Sequence, residues 1–180
     1  MDEKVGTKNE RKDVRRLVSL LLVTALVGIV IWFFLAHVSY SISPSVGAHI
    51  FWRTTCPAKT ERYQLVEVIP QSNDPFLPFT KARYAKHIVC LPGETVIRKG
   101  LEFFCKTKEG MIISLGKTKL KARDGRPLRP FMYDQGEEAS YKLKKDEFFV
   151  IGDKSPHSYD SRYYGPVPKE RIAKCLQPLL

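Results

Sequence analysis

From Leu17 to Leu35 the chain carries no charged side chain, and about 20 consecutive apolar residues are what a helix needs to cross about 30 Å of hydrocarbon. The run predicts a transmembrane helix over 17–36, a tail over 1–16 and a folded domain over 37–180. A cleaved secretory signal has a shorter apolar region, about 7–15 residues, ending in a small-x-small site. Here the run closes on Trp32-Phe33-Phe34-Leu35, an aromatic cluster suited to a membrane interface. In the tail, Lys4, Lys8, Arg11, Lys12, Arg15 and Arg16 outnumber Asp2, Glu3, Glu10 and Asp13. The positive-inside rule therefore predicts a cytoplasmic N-terminus, with the tail short and disordered and the domain on the far side.

The 180 residues, 43% of them hydrophobic, leave room for that span and one domain with a real core. A formal net charge of +11 implies attraction to anionic surfaces. A membrane is the expected partner and nucleic acid is not, because the basic residues are scattered and no helix-turn-helix, zinc-finger or RNA-binding signature is present. Cys56, Cys90, Cys105 and Cys175 all fall in the exported part, where disulfides persist. Of the three possible pairings, Cys90 with Cys105, which flank a turn-rich segment, and Cys56 with Cys175 are favoured; buried free thiols are the alternative.

The exported part reads as mainly β. Tyr63–Ile69, Met111–Leu115 and Glu147–Ile151 alternate polar and apolar residues with period two, in whole or in part. Asn73-Asp-Pro-Phe-Leu-Pro is a loop, and Gly100, Gly110, Gly116, Gly125 and Gly136 mark turns. The expected product is a coiled set of short strands, half-open and barrel-like, with no long helix outside the membrane.

Three stretches carry candidate chemistry. Ser41-Ile-Ser-Pro-Ser follows the apolar run and places hydroxyls just outside the membrane. A serine needs a base and an oxyanion site to act as a nucleophile at neutral pH. Lys86 heads an apolar strand that runs into Leu91-Pro-Gly-Glu94, and partial desolvation there would lower its pKa and free its amine as a base. Gly152-Asp-Lys-Ser-Pro-His-Ser-Tyr-Asp-Ser-Arg-Tyr-Tyr-Gly165 follows the strand Phe148–Ile151 and reads as a folded polar loop in which Asp160 pairs with Arg162. A Ser-His-Asp triad through His157 with Asp153 or Asp160 is disfavoured, because solvated surface readings suit His157, His49 and His87 better. No His or carboxylate pair has metal-ligand spacing, and no cofactor is called for.

These stretches, in this order, resemble the type I signal peptidase superfamily, which uses a Ser-Lys dyad. Within it the chain is most similar to the conjugative-transfer signal peptidases of the TraF type. That likeness rests on the frame of Ser41, Ser43, Ser45, Gly47, His49 and Phe51, on Asp124-Gly-Arg-Pro-Leu128 and on the C-terminal Pro178-Leu-Leu. The resemblance implies Ser45 as nucleophile, Lys86 as general base and Ser43 as a hydroxyl donor to the oxyanion. It makes Ser158 the residue that orients the lysine, Asp160 and Arg162 braces of the loop, and Asp153 a cap of the strand end. The housekeeping frame instead reads Ser41 as nucleophile with Ser39 as helper, so the register stays open. Gly47, His49, His87 and Glu94 depart from the usual residues at their positions.

The activity implied is that of a serine endopeptidase, single-pass in a bacterial inner membrane with its catalytic domain in the periplasm. It would process exported precursors, foremost pilin of a conjugative type IV secretion system, with pilin cyclisation a further outcome. The alternatives are a housekeeping signal peptidase I and a non-enzymatic, membrane-anchored pilus assembly factor.

Overall fold

The computed structural model describes residues 3–40, 46–71, 74–76, 83–152, 154–155 and 157–179. Contacts divide the chain into Met1–Val38 and Ser39–Leu180.

The first unit is one helix, α1 (Glu3–His37). It begins well before the apolar run and takes in the segment expected to be disordered. The reason lies in composition: Glu, Lys and Arg lose little rotamer freedom in a helix, and no proline interrupts them. Over Arg11–His37 this is the one helix among the described residues long and apolar enough to cross a membrane. Leu17, Leu22, Leu26 and Trp32 all stand exposed on it. A helix bare of protein cover and apolar around its circumference suits lipid rather than water.

The second unit is mainly β. Its strands are β1 (Val38–Tyr40), β2 (Ile50–Thr54), β3 (Leu65–Val68), β4 (Tyr84–Cys90), β5 (Thr95–Lys99), β6 (Glu102–Lys106), β7 (Ile112–Lys117), β8 (Glu138–Lys142), β9 (Glu147–Ile151), β10 (Val167–Pro168) and β11 (Ile172–Pro178). A single-turn helix, α2 (Ser161–Tyr164), precedes β10. One sheet has the order β1-β2-β11-β3-β4-β9-β10, the other β7-β6-β5-β8. In the first, β4 lies between two antiparallel neighbours, with Lys86 opposite Val66 of β3 and Ile88 opposite Val150 of β9.

The central strands lack the one-sided burial that a period of two implies. Leu65, Val66, Glu67 and Val68 are all buried, as are Phe148 through Ile151. Both faces of this sheet are covered, which is where near-continuous apolar strands belong. On β9, Phe149 and Ile151 join Val96, Phe103 and Leu115 in a core shared with the second sheet, while Phe148 and Val150 pack with Val66, Ile88 and Val167 on the other side. A smaller cluster unites Val46, Ala48, Phe51, Leu65, Ala85 and Leu176.

Two disulfides are present: Cys56–Cys175 and Cys90–Cys105, with Cα–Cα separations of 4.8 and 5.9 Å. The second ties β4 to β6 and so joins the two sheets. Gly116, read from sequence as a turn, lies inside β7 beside a register shift at Phe103/Phe104, so the glycine serves an irregular strand. The expected loop at Asn73–Pro78 is described only at Asp74–Phe76, where the Asp74 carboxylate accepts from the Phe76 N–H.

Candidate active site

Lys86 projects from the interior of β4 and is 4% exposed. Its Nζ donates to Ser158 Oγ at 2.9 Å. Desolvation pulls the lysine pKa down from its ordinary value; the Asp160 charge opposes this and the Arg162 charge adds to it. The shift is toward the neutral amine, whose lone pair can take a proton.

The loop from Gly152 to Gly165 is what brings Ser158 to the lysine, and Asp160 is its keystone. Fully buried, Asp160 accepts Arg162 Nε at 2.9 Å and the Arg162 N–H at 3.2 Å through Oδ1, and Arg162 Nη2 at 2.8 Å and the Gly152 N–H at 3.0 Å through Oδ2. The arginine reaches on to the Leu115 and Lys117 carbonyls of β7. With four donors on its two oxygens, the carboxylate is committed to the loop and held beside a guanidinium. That pairing blunts its ability to keep a proton on Lys86.

Asp160 also caps α2 through the Arg162 N–H. Ser161 Oγ accepts the Val150 N–H at 3.0 Å, fastening the loop to β9. Gly165 closes the element at φ 81°, and a Cβ placed there would lie 2.9 Å from the Phe131 ring. The sequence motif contained Ser161 and both terminal glycines, but their roles depend on partners distant along the chain. Gly116 is a similar case: its φ is 80°, and a Cβ there would stand 3.2 Å from Arg162 Nη1.

Of the remaining site residues read from sequence, Ser41, Ser43, Ser45 and Asp153 lie outside the described residues. Val46, next in the chain to Ser45, is buried in the cluster that contains Ala85, next in the chain to Lys86. His157 is exposed, and the Asp160 oxygens that a triad would use are already engaged. Glu94 is buried, paired with Arg62 and accepting the Leu91 N–H at 2.7 Å, so it braces the turn after β4. Cys90, Glu94 and Cys105 place ligand-type atoms within 4.8 Å of one another, yet the two sulfurs are bonded together and supply no thiolate for a metal. Beneath β2, Glu67 accepts from Arg53 Nη2 at 2.9 Å and from Ser39 Oγ at 3.3 Å.

The family model described as signal peptidase, peptidase S26 matches residues 11–176, from the N-terminal helix to the last strand. The chain belongs to the S26 signal peptidase family. It is 29% identical over 87 residues to signal peptidase I V of Bacillus subtilis (strain 168), a match covering 48% of this chain and 51% of that protein. The chain thus spans about half the length of the curated relative it matches. Among solved structures it is similar to a signal peptidase I from Enterococcus faecalis V583, with 22% identity, a TM-score of 0.41, and coverage of 68% of this chain and 100% of the other. For an S26 family member, the buried Lys86 and the loop that holds Ser158 against it are the natural place to look for chemistry.

Proposed function

We propose that this chain is a membrane-anchored serine endopeptidase acting through a Ser-Lys dyad, with Ser45 as nucleophile and Lys86 as general base. The observation that carries the reading is the buried Lys86 amine held by Ser158. A lysine removed from water and oriented by a hydroxyl has little structural purpose, because burying it costs stability. It is well suited to take a proton.

In the proposed reaction the neutral Lys86 amine takes the Ser45 hydroxyl proton as the oxygen attacks the substrate carbonyl. The Ser43 hydroxyl and the Ser45 N–H stabilise the oxyanion, and such donors contribute about 3–4 kcal/mol each in the transition state. Collapse breaks the C–N bond, and the leaving amine carries away the proton from Lys86. Water, activated by the freed lysine, then hydrolyses the acyl-serine. A peptide amine in place of water would join two ends instead. Asp160 and Arg162 hold the loop on which Ser158 rides, and the resemblance gives Asp153 the part of a cap on the strand end.

The apolar helix would act as the anchor, with the basic tail in the cytoplasm and the catalytic unit across the inner membrane in the periplasm. Anchoring raises the effective concentration of precursors tethered to the same bilayer. Exported precursors are the substrate class, and the TraF-like frame favours pilin of a conjugative system. A general signal peptidase I is the second reading, favoured by the name of the curated relative. The number of precursors cut separates the two.

The test is processing of a co-expressed, membrane-tethered pilin precursor by wild type, Ser45→Ala, Ser41→Ala and Lys86→Ala, with protein levels matched. Loss of cleavage in Lys86→Ala and in Ser45→Ala alone is the expected result. Loss in Ser41→Ala alone moves the nucleophile to the earlier register, and cleavage surviving both serine changes rejects the dyad.

A further inference from the structure

Beside Ser158 opens a cavity of about 380 Å³ that the dyad chemistry leaves unused. Its floor is a row of three rings: Phe76 and Tyr159 at 5.1 Å between centroids, then Tyr159 and Tyr163 stacked at 5.4 Å. Burial, with the Asp74 carboxylate second, pushes the Tyr159 hydroxyl upward, and burial does the same for Tyr163, so the floor stays uncharged.

One wall is a tight hairpin over residues 120–128. The Leu128 N–H donates to the Leu120 carbonyl at 2.8 Å, the Ala122 N–H to the Arg126 carbonyl at 2.8 Å, and Gly125 supplies the turn at φ 84°. Arg126 pins this hairpin across the cavity: its guanidinium lies 4.6 Å over the Phe76 ring, and its Nη1 donates to the Pro75 carbonyl at 2.9 Å. The Lys119 N–H donates to the Tyr163 hydroxyl at 2.9 Å, joining wall to floor.

The charges around this cavity are unbalanced. Asp124 is used by Arg126, its Oδ2 accepting Nε at 2.7 Å. Lys119, Lys121 and Arg123 also line the cavity, and among the described residues none of them has a carboxylate partner. Three cations with no carboxylate partner among the described residues, set around a neutral aromatic floor, call for an anion that carries some apolar body. Since Ser158 belongs to the same lining, an occupant of the cavity adjoins the Lys86–Ser158 pair.

We propose that the cavity between the 120–128 hairpin and the Phe76–Tyr159–Tyr163 row is a substrate subsite for acidic residues close to the bond that is cut, read by Lys119, Lys121 and Arg123. It takes its substrate class from the peptidase reading above and adds to it a charge specificity. A concave site of about 380 Å³ beside the candidate base suits a peptide side chain better than the plane of a lipid surface.

The probes are short fluorescent peptides with an Ala-Ser-Ala core flanked by Glu-Glu, Gln-Gln or Lys-Lys. Their binding to the full chain in neutral detergent is followed by anisotropy on the Lys86→Ala protein, and their cleavage on the wild type. Expected is a preference for Glu-Glu over Lys-Lys of about tenfold at low ionic strength, shrinking with added salt. The combined change Lys119→Glu, Lys121→Glu and Arg123→Glu is expected to abolish or invert that order at an unchanged melting midpoint, and the single changes to Gln to reduce it by a part each. An order unchanged by these substitutions, or no preference in the parent protein, overturns the subsite. A charge effect confined to association with phosphatidylglycerol vesicles overturns it in favour of a lipid contact. If wild type cuts none of the peptides, the tethered-precursor assay above decides the peptidase reading while the binding order still decides the subsite.

Discussion

In the proposed mechanism a single nitrogen, Lys86 Nζ, links the fold to the chemistry. An unfolded lysine keeps its proton to about pH 10.4, whereas burial lowers the value in the folded chain. Between those two values the unfolded state binds more protons, so stability rises with pH across that window and is flat below it. On the proposed dyad, cleavage is expected to fall as pH drops through the depressed lysine value, because only the free amine is a base. Lys86→Met is expected to abolish cleavage and to flatten the alkaline rise in unfolding free energy. Denaturant midpoints followed from neutral pH to pH 10, beside a rate profile, check both halves. An unchanged alkaline slope in the methionine variant would show that the lysine is charged in the fold. The sequence made Lys86 a candidate by its place at the head of an apolar strand. It could not say that β3 and β9 would flank that strand and take water away from the amine.

At the scale of an element, the Gly152–Gly165 loop was the most legible part of the chain, since its Asp, Ser, Arg and glycines cluster within one short stretch. The pairing of Asp160 with Arg162 is local and could be read directly. The arginine's further reach to Leu115 and Lys117, and the need for Gly116 beneath it, could not, because β7 lies more than forty residues earlier in the chain. The same limit applies to the strands: alternation within Tyr63–Ile69 and Glu147–Ile151 located β3 and β9 but says nothing of a second layer that covers the other face. Asp160→Asn strands a nearly buried guanidinium and strips the loop of its central acceptor. Removing one partner of a buried ion pair costs about 3–5 kcal/mol, so a loss of that order in urea unfolding is the expected outcome. A change under 1 kcal/mol, at the level of an exposed pair, would mean that the loop is held by other contacts.

For the whole molecule, composition and the apolar run pointed to one apolar helix and one mainly β unit, and the structure has both. The order of strands was hidden, since β11 pairs with β2 and β3 across more than a hundred residues. The disulfides record that topology in covalent form: Cys56–Cys175 closes a separation of 119 residues and Cys90–Cys105 one of 15. By chain entropy a loop of about 15 residues contributes about 3 kcal/mol and one of about 100 residues about 4.7. The pair Cys56→Ser with Cys175→Ser is therefore expected to lower stability more than Cys90→Ser with Cys105→Ser, as thermal melts would show. The reverse order would mean that joining the two sheets matters more than the length of chain enclosed.

On the exported-peptidase reading proposed above, these cross-links also make the β unit its own sentry. Glutathione and thioredoxin keep thiols reduced in the cytosol, so a copy left on that side would lack both bonds and the several kcal/mol they contribute. Such a copy would spend more of its time open to resident proteases. On that reading, a peptidase stranded among unexported proteins would thus be cleared before it did harm, with no inhibitor required.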